Sequence, residues 1–203
     1  MLEFENEMIS KGYKLIAGVD EAGRGPLAGA VFVAMAIMPL DENSIIPGVD
    51  DSKKLSPTKR KFLFDKIKSK AIAYSICSID EKTIDRINIL EATKLGINKC
   101  LKEISIKPDY CLVDYVAKLN LDVPFSTIIK GDALSYSIAC ASILAKVARD
   151  EYMDEMDKKY PNYNFTKHKG YGTKLHYECL DKYGISEIHR RTFLKRYEVK
   201  SGK

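Results

Sequence analysis

The chain alternates between short unbroken apolar runs and longer stretches of helical period. Residues 15–19 and 30–38 (AVFVAMAIM) are continuous apolar runs of the kind that make buried strands, and residues 71–79, 110–113 and 125–129 read as three more. Between them, Ser56 is placed to cap a helix with Pro57 in its first turn, which sets Phe62, Leu63, Ile67 and Ala71 on one face. Asp80 is placed to cap a short helix ending near Ile87, and residues 89–104 form another. A long helix is predicted over residues 134–160. Its first half (SIACASILAKVA) is rich in small residues and suits burial against a sheet, whereas its second half (RDEYMDEMDKKY) is charged and expected at the surface. After Pro161 come a glycine turn at 169–173, a helix over 173–183 and a tail over 189–194, with the basic residues 195–203 expected to be disordered. The alternation predicts an α/β fold, with residues 1–160 as the core and residues 161–203 as a helical C-terminal subdomain.

Composition adds little to this picture but removes several classes. The chain has 203 residues, 45% hydrophobic and 30% charged, an ordinary balance for one domain. Residues 1–12 carry three glutamates and no apolar core, so no signal peptide is expected. No run approaches the roughly 20 apolar residues that span a bilayer. A cytoplasmic protein without a membrane partner is expected. The five cysteines (Cys77, Cys100, Cys111, Cys140, Cys179) are scattered, which suits reduced, buried thiols. The three histidines (His168, His176, His189) have no metal-ligand spacing with cysteine, so any metal would be held by oxygen. The net charge of +5 is mild, but lysine and arginine crowd into residues 53–70, 167–174 and 189–203. Such clusters form either a track for phosphates or solvated helix faces.

The candidate chemistry lies where strands meet acids. Val19 is followed by Asp20-Glu21, Val113 by Asp114, and the strand before Lys130-Gly131 by Asp132. Sites of α/β sheets collect at strand ends. Carboxylates converging there repel one another, and burial without counter-charge is costly. A divalent cation removes the conflict, and hard oxygen ligands suit Mg²⁺ or Mn²⁺. Two such ions about 3.5–4 Å apart can clamp an in-line phosphoryl displacement. Adjacent strand residues point to opposite faces, so Asp20 and Glu21 can share a centre only if the strand twists or ends between them, a break that the following Ala22-Gly23 favours. Gly23-Arg24-Gly25 lacks the spacing of a dinucleotide or Walker A loop. It is either a tight turn with a solvated arginine or a close-approach turn offering peptide N–H groups and a guanidinium to phosphate and sugar.

At this point the residues resemble the ribonuclease HII family. The motifs GVDEAGRGPLAG (residues 18–29), DDSKKLS (50–56), INILEAT (87–93), LVD (112–114), KGD (130–132), SIACASILAKVARD (137–150), KGYGT (169–173) and IHRRTF (188–193) occur in the family's order and cover the chain from Leu15 to about Phe193. The resemblance implies a ribonuclease H-like fold: a mixed, roughly five-stranded sheet flanked by helices, with a helical C-terminal region completing the substrate groove. It implies hydrolysis of RNA in RNA–DNA hybrids and incision 5′ to ribonucleotides embedded in duplex DNA, leaving 3′-hydroxyl and 5′-phosphate ends. It implies Asp20, Glu21, Asp114 and Asp132 as catalytic metal ligands for Mg²⁺ or Mn²⁺, with two ions when substrate is bound. By the same resemblance, Gly23, Arg24 and Gly25 contact the 2′-hydroxyl and nearby phosphates, Tyr171 stacks on the adjacent sugar, and Lys53, Ser142 and Lys146 match polar positions that touch phosphates.

One position departs from the family pattern: Tyr115 follows Asp114 where a glycine is common. Ribonuclease HIII shares the core motifs but carries an extra N-terminal domain, and only 14 residues precede Leu15. The C-terminal RRTFLKRYEVKSGK lacks the glutamine-plus-paired-aromatics pattern of a sliding-clamp tail, and a monomer is expected. The rival readings are a non-catalytic nucleic-acid-binding module on the same fold and a small-molecule phosphatase. The full acid set counts against the first, and the spread of basic clusters against the second.

Overall fold

A computed structural model describes residues 1–201. Five strands form one mixed sheet in the order β3-β2-β1-β4-β5: β1 (Ile16–Ala22), β2 (Val31–Ile37), β3 (Ala73–Ile79), β4 (Tyr110–Asp114) and β5 (Phe125–Ile128). The first three are antiparallel neighbours, while β1–β4 and β4–β5 are parallel. The helices are α1 (Glu3–Ser10), α2 (Pro57–Lys70), α3 (Glu81–Ile87), α4 (Ile89–Glu103), α5 (Gly131–Leu134), α6 (Tyr136–Lys159), α7 (Phe165–His168), α8 (Lys174–Tyr183) and α9 (Arg191–Ser201).

The local signals act where the sequence places them. Ser56 caps α2 by accepting from the Lys59 N–H and Asp80 caps α3 at Thr83; Thr173, not singled out in the sequence, caps α8 at His176 in the same way. On α2 the buried face is Leu63, Phe64 and Ile67, whereas Phe62, expected inside, is 59% exposed. The expected disordered tail is, as far as Ser201, the second half of α9, and residues 202–203 lie outside the described residues. Helix α1 has no sequence signal of its own and is held by a distant partner. The buried Glu5 carboxylate accepts from the Ser135 hydroxyl (2.6 Å) and the Ser137 N–H (2.8 Å), at the N-terminus of α6.

Two helical layers sandwich the sheet. The first half of α6, together with α2, covers one face through Ile143, Leu144, Leu63 and Ile67. Helix α4 covers the other with Ile97, Cys100 and Leu101 against Val19, Val33 and Met35. Each of these large side chains contributes roughly 1.5–3 kcal/mol by leaving water. Helix α6 lies so close to β1 that a Cβ on Gly18 would fall 2.0 Å from the Ser137 carbonyl carbon. A third apolar cluster, including Phe165, Leu180 and Leu194, packs the C-terminal helices onto Leu27, Ala28 and Met153. All five cysteines are buried free thiols. No helix among the described residues is long and apolar enough to cross a membrane.

Candidate active site

The parallel pairing of β1 with β4 ends at Val19 and Val113, so Asp20 and Asp114 come next on neighbouring strands. The expected break after Asp20 does not occur: β1 runs on through Ala22, paired to β2 alone. Pleat alternation puts Gly18 and Asp20 on the α6 face. Glu21 nevertheless lines the same cavity: β4 ends at Asp114, so on that side no strand lies beside β1 at Glu21. Asp132 does not sit at a strand end. It lies in the first turn of α5, which follows Lys130 in the left-handed region (φ 58°).

A cavity of about 450 Å³ collects most of the expected residues: Asp20, Glu21, Asp114, Gly23, Arg24, Gly25, Lys53, Ser142, Lys146 and Tyr171 all line it. Asp132 is not in its wall but is joined to it, since Lys53 Nζ donates to Asp132 Oδ2 at 2.8 Å. Asp114 accepts from the Gly131 N–H at 2.9 Å, which ties the end of β4 to the start of α5. Ser142, expected to touch phosphate, lines the cavity and is also hydrogen-bonded within the protein. It shares a 3.0 Å hydrogen bond with Ser52 and supports the ionised form of Asp20. Lys146 donates to Asp150 at 2.6 Å.

The electrostatics are those of acids held together against their preference. Asp20 is 5% exposed, and burial, followed by repulsion from Glu21 and Asp114, holds its pKa well above the ordinary carboxylate value. Burial likewise raises Glu21. Arg24, 3.4 Å from Oε1, opposes that rise, and Asp114 adds to it. Among the described residues, no group of three His, Cys, Asp or Glu side chains is drawn into a finished metal-ligand arrangement. The donor chemistry still fits a hard divalent cation: carboxylate oxygens in mutual repulsion, with a lysine ammonium on one acid and a guanidinium beside another.

Sequence reasoning missed two arginines. The half of α6 expected at the surface carries Arg149, which is 1% exposed and lines the cavity. It donates to the carbonyl oxygens of Ala28 (3.3 Å), Ala30 (3.3 Å) and Lys169 (3.1 Å). Arg190, fully buried, donates to Gly23 (2.7 Å), Arg24 (3.0 Å) and Gly29 (2.6 Å). Together they hold five carbonyls of the segment from Gly23 to Ala30, those of Gly23, Arg24, Ala28, Gly29 and Ala30. Gly23 has φ +99°, and a Cβ there would fall 2.0 Å from Arg149 Nε, so both backbone conformation and space demand glycine. A signal for Arg149 was present: Ala145, Arg149 and Met153 continue the buried stripe of α6 at spacings of four.

The comparisons agree with this architecture. The family model described as Ribonuclease HII matches residues 17–197. A ribonuclease HII of Caldicellulosiruptor bescii is 55% identical over 193 residues, covering 95% of this chain and 93% of that one. The crystal structure of ribonuclease H2 from Pyrococcus horikoshii superposes with a TM-score of 0.78 at 29% identity, covering 94% of this chain and 100% of that chain. The structure of a PCNA:RNase HII complex from Archaeoglobus fulgidus matches with a TM-score of 0.75 at 25% identity, covering 87% of this chain and 94% of that chain. With the five-stranded mixed sheet and its flanking helices, these matches across nearly the whole chain place it in the ribonuclease HII family, with the ribonuclease H-like fold.

Proposed function

We propose that this chain is the metal-dependent endonuclease its family membership indicates. It hydrolyses the RNA strand of RNA–DNA hybrids and incises 5′ to ribonucleotides embedded in duplex DNA, leaving 3′-hydroxyl and 5′-phosphate ends. The observation that carries this reading is one cavity lined together by Asp20, Glu21 and Asp114, by the Gly23-Arg24-Gly25 turn and by Tyr171. Phosphate chemistry and a sensor for the sugar then sit within one nucleotide's reach.

Asp20, Glu21, Asp114 and Asp132 would hold Mg²⁺ or Mn²⁺, two ions when substrate is bound. Bound there, the ions supply charge stabilisation for the attacking and leaving oxygens of the displaced phosphate. The rest of the work belongs to the chain. Arg190 occupies the carbonyls of Gly23 and Arg24, so the turn offers its peptide N–H groups to the ligand. A 2′-hydroxyl, the group that separates RNA from DNA, can accept from such donors. Arg24 neutralises Glu21 in the free protein and is a guanidinium fork for a neighbouring phosphate. Tyr171, 44% exposed with the Arg149 guanidinium 5.8 Å from its ring centre, presents a face for the adjacent sugar. Lys53 and Lys146 reach phosphates on leaving their acid partners, while Ser142 steadies Asp20.

Residues 1–160 form the catalytic core in this reading. Residues 161–203 complete the groove by carrying Tyr171, and the protein acts as a cytoplasmic monomer. A non-catalytic binding module is not favoured, since no acid of the set is missing.

The test is a labelled DNA duplex carrying one ribonucleotide, incubated with Mg²⁺, with Mn²⁺, and with EDTA. A single cut on the 5′ side, abolished by EDTA, is expected. Cleavage confined to longer RNA tracts contradicts incision at single ribonucleotides, and no cleavage of either substrate contradicts the enzyme reading.

A further inference from the structure

The three histidines of the chain lie in one buried array outside the cavity: His168 is 7%, His176 0% and His189 3% exposed. Their partners allow only one set of hydrogen-bond directions. The Ser186 N–H can only donate, and it donates to His189 Nδ1 at 2.9 Å. His189 therefore carries its proton on Nε2 and gives it to His176 Nε2, 2.9 Å away. His176 Nε2 being the acceptor, its proton sits on Nδ1 and is donated to the Tyr171 carbonyl oxygen at 3.0 Å. In parallel, the Gly170 N–H donates to His168 Nδ1 at 3.2 Å, and His168 Nε2 donates to the Tyr163 carbonyl oxygen at 2.8 Å. The rings of His168 and His176 stack 4.3 Å apart at 16°.

Two histidines thus grip the backbone on either side of Tyr171's Cα. One takes the N–H of Gly170 and the other gives to the carbonyl of Tyr171. We propose that this array is a positioning device for the reaction, a one-way relay from Ser186 through His189 and His176 that aims the Tyr171 ring into the cavity. His168, His176 and His189 touch no substrate and act through Tyr171. The proposal rests on the reading of Tyr171 as the sugar-facing residue.

The array works only with all three rings neutral. A second proton on His176 would set Nε2–H against the His189 Nε2–H. One on His189 would turn Nδ1 from acceptor to donor, so that the Ser186 hydroxyl at 2.7 Å could accept it but the Ser186 N–H would lose its acceptor, and one on His168 would oppose the Gly170 N–H. The surroundings offer little to stabilise a cation: the rings of Tyr163 and Phe165 pack tilted or edge-on against the histidines, and Asp157 is the carboxylate acting on His168. Arginines nearby already occupy carbonyls of the Gly23–Ala30 segment.

The experiment is a double-mutant cycle on cleavage at a single embedded ribonucleotide, with kcat and KM measured for His176→Phe, His176→Asn, Tyr171→Ala and the double variant His176→Phe/Tyr171→Ala. Loss of the relay's last hydrogen bond is expected to lower kcat/KM roughly fivefold to tenfold in His176→Phe. Asn can donate from the position of Nδ1, so His176→Asn should recover most of that loss. The substitution His176→Phe should add nothing once Tyr171 is alanine. Unchanged cleavage in His176→Phe, or an equal further loss in the Tyr171→Ala background, overturns the relay while leaving Tyr171 in its role. No loss in Tyr171→Ala itself overturns the role of Tyr171 and the relay's purpose with it. Should His176→Phe fail to fold, ¹⁵N spectra of the unmodified protein decide. A proton on Nδ1 of His176 and on Nε2 of His168 and His189 is expected, and a His176 protonated on Nε2 overturns the proposal.

Discussion

Asp20 and Asp114 occupy the same step of two neighbouring parallel strands, one residue beyond the last paired residues, Val19 and Val113. Adjacent strands run about 4.8 Å apart, so the pleat alone brings two carboxylates side by side. Their repulsion helps to raise Asp20's pKa, after burial and Glu21. The fold therefore stores unfavourable electrostatics where a cation is needed. Asp20→Asn should raise the Tm of the protein in EDTA by roughly 2–4 °C, the equivalent of about 1 kcal/mol, while cleavage is lost. Calorimetry on the chelated variant checks this, and a lowered Tm would contradict it.

Lys53 reaches 2.8 Å from Asp132 although its own side chain is 76% exposed. The ammonium occupies the acid from the solvent side and can leave without disturbing the core. Asp132→Asn should abolish cleavage in Mg²⁺ by roughly a hundredfold or more while leaving affinity for hybrid duplex within about threefold. Binding by anisotropy alongside turnover separates the two, and unchanged turnover would sink the role of Asp132.

The contact between Gly23 and Arg149 makes a stability prediction. Alanine at 23 would hold φ near +99° at a steric penalty and place its Cβ 2.0 Å from the arginine's Nε. Gly23→Ala should cost about 1–3 kcal/mol and lower cleavage with it, because Arg149 also holds Ala28, Ala30 and Lys169. Urea unfolding of the variant measures the first effect. A stability equal to the parent's would show that the loop adapts.

The histidine array gives the fold a weakness to acid. Burial pushes His176 down to about 4 and His189 down to about 3, and lowers His168, all from about 6.5. The unfolded chain then binds more protons than the folded one below about pH 6.5, so stability falls as pH drops from there toward 4. Asp20 and Glu21, raised by the fold, work in the opposite sense. The acid loss should therefore be smaller in His189→Gln than in the parent. Thermal scans at pH 7, 6, 5 and 4.5 read the difference, and parallel curves would rule the histidines out as its source.

Local rules decided much of this protein before any tertiary contact. The caps at Ser56, Asp80 and Thr173 bind N–H groups three residues ahead, and the apolar runs became the five strands. These signals need only near neighbours in the chain. The motifs also placed Asp20, Glu21, Asp114 and the Gly23-Arg24-Gly25 turn at one end of the sheet.

Other features depend on partners distant in sequence, and only the assembled fold decided them. Glu21 shares a cavity with Asp20 where β4 stops at Asp114, more than 90 residues along the chain. Phe62, expected inside, is exposed while Phe64 is buried with Leu63 and Ile67, because packing against α6 sets the buried face of α2. Arg149 and Arg190 read as surface charge until the carbonyls of residues 23–30 supply their partners, 119 to 167 residues away. The three histidines likewise have no ligand spacing in sequence, and packing of the C-terminal helices brings their rings together. Periodicity records which face is apolar, but where a buried polar group finds its partner is settled by packing.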